Sequence, residues 1–396
     1  MGDKSAFVGG MKLKISDLGK VITGNTPSKK IKEFWDKDDV GFVKPDIISD
    51  EHIVKIKSED CNEFISNAAI SKARIVPKNS IFVTCIGNIG KIGVATENLA
   101  FNQQINAIIP NENVNLDYLC YAIFANKTRL QDIANAPIVP LLNKSQFSEF
   151  ELEFDMDINT QTRIVHELNT VSNIILKYKQ ELLLLDELVR ARFVEMFGTI
   201  RENSHNYPRV TLKEVCHKIT DGKHGGCKQE DNSGYYYVGA REIYDGKIHY
   251  DTAPQITYDD FSKDYRRCNL EKGDMVIVNT GATIGKSAIA SSHLTEKTLL
   301  QKSVALIKVN SDIIIAEFLR YCYMVNPSMY MVKSASAQPN LLLSKMNSTI
   351  VYLPPIDLQR QFASFVEEID KSRSRIQKSL EASQELFDSL MQEYFG

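Results

Sequence analysis

The residues best suited to chemistry in this chain follow its glycines. Gly281-Ala282-Thr283-Ile284-Gly285-Lys286-Ser287 has the look of a phosphate-binding loop, in which backbone N–H groups cradle phosphates, a lysine reaches them and a hydroxyl holds magnesium. Such a loop needs four residues between its glycines. Here there are three, with Thr280 where the first glycine should stand, and the similar Gly87-Asn88-Ile89-Gly90-Lys91-Ile92 lacks the hydroxyl altogether. The spacing favours a turn that presents a lysine, and a phosphate- or nucleotide-binding enzyme using Gly281 to Ser287 stands as an alternative reading. Cys216, His217, His224 and Cys227 offer zinc-ligand chemistry within twelve residues, but not in a usual paired spacing, and Gly19 and Lys20 stand where Cys216 and His217 would recur. An ordinary loop without metal is expected there. No glycine loop for S-adenosylmethionine, no Asn/Asp-Pro-Pro-aromatic tetrad and no paired catalytic carboxylates are present, since Pro354-Pro355 lies between Leu353 and Ile356. No catalytic residue is expected.

Recognition chemistry is what remains. Lys29, Lys30, Lys44, Asn88, Lys91, Gln103, Gln104 and Lys144 lie near turns and strand ends in the first half of the chain. Lys223, His224, Arg241, Thr283, Lys286, Gln301, Lys302 and Lys345 do so in the second. Lysine and arginine neutralise phosphates, while Gln, Asn and Arg can read base edges bidentately, so these are the expected DNA-binding residues. A single surface lysine usually only solvates. The set gains weight because the Gly-x-x-Gly-Lys type of turn and the Gln-containing lead-in each occur twice.

The elements that must position them are themselves duplicated. Phe193-Val194-Glu195-Met196-Phe197-Gly198 returns 198 residues later as Met391-Gln392-Glu393-Tyr394-Phe395-Gly396. Ile15-Ser16-Asp17-Leu18 corresponds to Leu212-Lys213-Glu214-Val215, and Ser80 to Gly87 corresponds to Asp274 to Gly281, each a strand entering a tight glycine turn. Phe101-Asn102-Gln103-Gln104 leads into a strand as Leu299-Leu300-Gln301-Lys302 does. A period this long is a tandem copy of a whole domain rather than a solenoid. Residues 25 to 75 and 223 to 270 align poorly, which is where the two copies should differ in what they read.

Each copy closes with a long helix. Ile164, Leu168, Val171, Ile175, Tyr178, Leu182, Leu185, Val189, Arg192 and Met196 fall at alternating steps of four and three, the seam of a coiled coil. Phe362, Val366, Ile369, Arg373, Ile376, Leu380, Ser383, Phe387, Leu390 and Tyr394 repeat it in register. Asn159 and Asp357 read as N-caps, and Gly198 and Gly396 as stops. Two matched helices are expected to bury their seams against each other. A helix of about 36 residues would be roughly 54 Å long. An antiparallel pair would then act as a stiff spacer with a pseudo-twofold axis; two helices packed onto their own domains, or a structural coiled-coil adaptor, are the plainer alternatives.

With 396 residues, 43% hydrophobic and 24% charged, the chain reads as a multidomain soluble protein. No apolar run approaches membrane-spanning length, Met1-Gly2-Asp3-Lys4-Ser5 is not a signal peptide, and seven cysteines without a CxxC pair suit a reducing cytoplasm. The net charge of −3 neither announces nor excludes a nucleic-acid partner.

Taken in order, the two variable domains, the two long helices, the turns Gly87 to Lys91 and Gly281 to Lys286, and the helix starts Asn159-Thr160-Gln161-Thr162-Arg163-Ile164-Val165 and Pro354-Pro355-Ile356-Asp357-Leu358-Gln359-Arg360-Gln361 resemble the specificity subunit of a Type I restriction-modification system. The first helix start lacks the double proline. The resemblance implies an α+β chain of two similar globular target recognition domains in tandem, at 1–156 and 208–353, joined by a linker at 199–207. It implies helical spacers at 157–198 and 354–396 that pair as an antiparallel coiled coil with pseudo-twofold symmetry. It further implies a subunit without catalysis that reads a bipartite asymmetric site on double-stranded DNA and binds no cofactor of its own. Its partners would be two methyltransferase subunits using S-adenosylmethionine to modify adenine, and restriction subunits using ATP and magnesium. A spacer of about 54 Å exceeds one turn of DNA, about 34 Å, so helix length would set the gap between half-sites.

Overall fold

The structure is a computed structural model that describes residues 10–134, 140–199, 203–329 and 341–396. Residues 1–9 of the expected first domain and 200–202 of the expected linker lie outside them. The chain forms two compact units, one from the residues up to Lys179 together with Lys378–Gly396, the other Gln180–Gln377.

The first unit is built on a five-stranded sheet. In chain order its strands are β1 (Gly19–Thr23), β2 (Val54–Ile56), β3 (Ile81–Thr84), β4 (Ile92–Ala95) and β5 (Ile105–Pro110), arranged β1-β5-β3-β4-β2. The second repeats its centre with β6 (Cys216–Asp221), β7 (Met275–Val278), β8 (Ser287–Ile289) and β9 (Val304–Val309), arranged β6-β9-β7-β8. The unbroken apolar runs of β3 and β7 are buried because both sheet faces are covered. Alternation decides which side chain goes where. Ile81 and Val83 join Ile108 on one face, while Phe82 joins Ile105 and Ala107 on the other. Met275 and Ile277 likewise separate from Val276 and Val278.

The first face is closed by helices. These are α1 (Leu116–Ala125), α2 (Ile158–Phe197), α4 (Ala316–Val325) and α5 (Ile356–Phe395), while α3 (Tyr258–Cys268) lies on the other face, where its Cys268 packs with Val276 and Val278. The two long ones have 40 residues each. In the first unit Ile164, Leu168, Val171 and Ile175 of α2 share a core with Phe387, Met391 and Tyr394 of α5, and Tyr118 of α1 packs on Phe395 at 5.1 Å. In the second, Val189, Phe193 and Phe197 of α2 share a core with Phe362 and Val366 of α5, while Phe197 and Phe318 meet edge to face at 4.8 Å. In the second unit Asp186 pairs with Arg373 at 2.7 Å and Phe193 lies 5.3 Å from Phe362, so rising numbers on α2 meet falling numbers on α5 and the pairing is antiparallel. The other seam positions, Leu182, Leu185, Ile369, Ile376, Leu380 and Leu390, are half-buried.

Three local expectations need correcting. Helix α2 starts at Ile158, and its cap is Asp157, whose carboxylate accepts from the Thr160 N–H at 3.0 Å and its hydroxyl at 2.7 Å; Asn159 lies inside the first turn. Asp357 likewise lies inside α5, which begins at Ile356. At the far end of α2 the seam passes from Val189 to Phe193 and Phe197, while Arg192 is exposed and pairs with Glu195 at 2.8 Å. A globular core covers a wider arc of helix than a partner helix does, so steps of four replace the heptad there.

One device tying each long helix to its domain was not foreseen. Gln161 is fully buried; its amide oxygen accepts from the Asn115 N–H at 2.8 Å and its NH2 donates to the Asp155 carbonyl at 2.6 Å. Gln359 does the same with the Ile315 N–H at 2.9 Å and the Pro354 carbonyl at 2.8 Å. Both satisfy an orphan donor at the start of α1 or α4. The recurrence of glutamine at these helix starts was the signal.

Candidate nucleic-acid interface

The ends of β1 and β3 and the starts of β4 and β5 lie at one end of the first sheet, since Thr23 pairs with Asn106, Thr84 with Ile105, and Val83 with Ile92. Three loops therefore meet there, at 24–28, 85–91 and 102–104. Backbone bonds knit them: Gly24 N–H to Ile105 O at 3.1 Å, Asn25 N–H to Phe101 O at 3.0 Å, and Cys85 N–H to Gln104 O at 2.8 Å. In the second unit Gly222 N–H reaches Val304 O at 3.0 Å, Lys223 N–H reaches Leu300 O at 2.7 Å, and Asn279 N–H reaches Ser303 O at 3.0 Å. Gly24 and Gly222 are required by closeness, because a Cβ on either would sit 2.1 Å from Asn102 O or 2.2 Å from Gln301 O. In the turns, Gly87, Gly90, Gly281 and Gly285 have φ of 75°, 88°, 104° and 90°, values that favour glycine.

The fold brings ten of the sixteen expected DNA-binding residues to these two sheet ends: Asn88, Lys91, Gln103 and Gln104 in the first unit, and Lys223, His224, Thr283, Lys286, Gln301 and Lys302 in the second. Their partners differ. In the first turn Ile89 is fully buried, and the Asp50 carboxylate accepts from Lys127 at 2.5 Å. That bond, with a further one from Asn88, holds Asp50 below its ordinary range against the opposing effect of burial. Lys91 Nζ donates to the Pro45 carbonyl at 3.4 Å, and the Gln103 amide oxygen accepts from the Thr26 hydroxyl at 2.7 Å. The Gln104 amide oxygen accepts from Asn102 at 2.9 Å. In the second unit Lys223 pairs with Asp264, His224 Nε2 lies 2.7 Å from Asp221, and Gln301 donates to Tyr237 O at 3.3 Å. Lys286 and Lys302 are exposed.

The other six stand elsewhere. Lys29 and Lys44 both pair with Glu63, at 3.0 and 2.6 Å, and the Lys44 bond first of all keeps that carboxylate below its ordinary range. Lys30 is exposed in a turn, Lys144 opens the short helix 144–148, Arg241 is exposed in the turn 240–242, and Lys345 lies in the helix 343–348. Asp50, Glu63, Asp264 and Asp221, which decide the charge each lysine or histidine presents, were missed because they lie far from their partners in sequence or carry no motif.

The turn at Gly281 to Ser287 runs into strand β8, so the helix N-terminus that completes a phosphate-binding loop is not there. Among the described residues no three or more His, Cys, Asp or Glu side chains are placed to hold a metal ion, and no helix is long and apolar enough to cross a membrane.

A fold with two α+β units, each presenting a similar loop-bearing sheet end and each closed by both long helices, defines a two-site recognition protein. The model of the Type I restriction modification DNA specificity domain matches residues 9–184 and again 205–384, and the chain belongs to that family. It is 26% identical over 402 residues to the Type I restriction enzyme MjaIX specificity subunit of Methanocaldococcus jannaschii, spanning 96% of this chain and 90% of that one. The HindI specificity subunit of Haemophilus influenzae is 35% identical over 142 residues, covering 35% of this chain and 30% of that one. Among solved structures, the Type I restriction-modification S subunit from M. genitalium superposes with a TM-score of 0.60 at 18% identity, covering 100% of this chain and 98% of that one. The last of these is a likeness of fold.

Proposed function

We propose that this chain is the non-catalytic sequence-recognition subunit of a Type I restriction-modification complex. Each unit would read one half of a bipartite asymmetric site on double-stranded DNA, using the loops at its sheet end. The observation that carries this is the repetition of one backbone frame with different side chains on it: Gly24 and Gly222 hold the same place, while Thr26 and His224, or Gln103 and Lys302, present different groups. A similar frame in both units supports equivalent docking of two methyltransferase subunits, which would supply S-adenosylmethionine-dependent adenine methylation. Restriction subunits using ATP and magnesium would complete the assembly. The chain itself would bind no cofactor and would act in the cytoplasm.

The test is to co-express the chain with the methyltransferase encoded beside it and map modified adenines by long-read sequencing. A single bipartite motif is expected, one half of it changing when loops of one unit are replaced. Absence of any motif and of any complex would return the chain to a structural coiled-coil adaptor.

A further inference from the structure

The two units treat one acidic position differently. Counted from the N–H groups that the buried glutamines accept, Asn115 and Ile315, Asp117 of α1 corresponds to Glu317 of α4, Cys120 to Arg320 and Tyr121 to Tyr321. In the second unit the acid holds a cation supplied by its own helix. Arg320 donates to Glu317 at 2.7 Å, and its guanidinium lies over the Tyr321 ring, 5.0 Å from the centroid. A carboxylate beside a tyrosine ring suits a planar guanidinium, which bonds through its edge and stacks through its face.

The first unit keeps the acid and the ring but not the cation. Cys120 stands in the arginine's place, and Asp117 makes no ion pair among the described residues; the Asn169 NH2 approaches its carboxylate only at 3.5 Å. What the unit has instead is a cavity of about 510 Å³, walled by Asp117, Tyr121 and Phe124 of α1, Asn169 of α2 and Phe387 of α5. That volume falls in the range of small-molecule sites, about 300–1,000 Å³. Its polar wall is held in place, because the Tyr121 hydroxyl donates to Asn169 Oδ1 at 2.7 Å. The Tyr121 and Phe387 ring centroids are 6.1 Å apart. Of the other charged groups on the wall, Glu51 and Lys179 neutralise each other at 2.6 Å, and Lys55 is exposed.

We propose that this cavity is a binding site for a small guanidinium compound, which bonds to Asp117 and packs among Tyr121, Phe124 and Phe387 as Arg320 does against Glu317 and Tyr321. Every residue that walls it belongs to the first unit, so one molecule binds per chain. None of them lies in the loops at 24–28, 85–91 or 102–104, which keeps the site separate from the proposed DNA contacts.

The experiment titrates butylguanidinium into the full chain by calorimetry, alone and in complex with its methyltransferase partner, with butylurea as a neutral probe of the same shape. One site per chain is expected in both settings, and butylurea should bind roughly tenfold more weakly or worse. Asp117→Asn keeps the shape of the side chain and should weaken butylguanidinium binding by a similar factor. Leu176→Trp fills the cavity from an exposed position of α2 and should abolish it. No binding of butylguanidinium, equal binding of the two probes, or butylguanidinium binding unchanged in either variant that unfolds at the wild-type denaturant midpoint would overturn the proposal. Binding to the free chain that is lost in the complex would overturn it too, because the cavity would then receive a side chain of the partner.

Discussion

The two variable regions start from the same parallel strand pairing, Val43 with Phe101 and Val238 with Leu300, and then diverge. Residues 25 to 75 of the first unit fold into short strands that join Leu99–Phe101 in a four-stranded sheet, with the Trp35 ring set edge-on to Phe42 at 5.2 Å. Residues 223 to 270 of the second form a parallel pairing of Tyr236–Val238 with Thr298–Leu300, the hairpin Ile243–Ile248 and α3. An aromatic cluster holds α3, with Tyr235 4.6 Å from Phe261 and Phe261 4.8 Å from Tyr265. The difference reaches the core. On α1 and α4, Cys120 and Arg320 hold the same helical position, and Arg320 is buried beneath the hairpin, close enough that a Cβ on Gly246 would lie 2.2 Å from its guanidinium. It pairs there with Glu317 at 2.7 Å. Backbone bonds and buried glutamines carry the shared frame, so the side chains around it are free to diverge.

This contrast can be broken in graded ways. Arg320→Met leaves the half-buried Glu317 without its partner and should destabilise the second unit by about 3 kcal/mol, read by denaturant unfolding; Cys120→Ala at the matching position should cost less. Gln161→Leu and Gln359→Leu should each cost about 1–3 kcal/mol by leaving the Asn115 or Ile315 N–H unpaired, and near-equal losses would confirm that the frame is shared. Lys127→Ala removes a partly exposed pair of at most about 1 kcal/mol and should raise amide exchange at Gly87 to Lys91 while leaving Gly281 to Lys286 unchanged. Smallest of all, Lys91→Ala and Lys286→Ala should each lower the salt slope of DNA binding by about one, uniformly across sequences.

Much of the frame is legible in the sequence. The duplication, the glycine turns and most seam positions follow from period and backbone conformation, which sequence records directly. The helix starts were misplaced because Asp157 and Asn159 are equally good caps on type alone, and only the bond to Thr160 chooses between them. Arg192 was placed in the seam because the heptad was extended into a stretch where Phe193 and Phe197 meet a globular core. At the candidate interface the lysines were visible but their partners were not. Glu63 lies 34 residues from Lys29, and Asp50 77 residues from Lys127, so which charges are compensated is a property of the fold.

The central claim is that each sheet end engages its own half-site. The most direct measurement is site-specific photo-cross-linking from Lys91→Cys and from Lys286→Cys in the complete complex, against the wild-type background, with adducts mapped on a duplex bearing the methylated motif. The account predicts adducts from the two positions in different half-sites. Adducts from both in one half-site, or in the non-specific spacer alone, would contradict it.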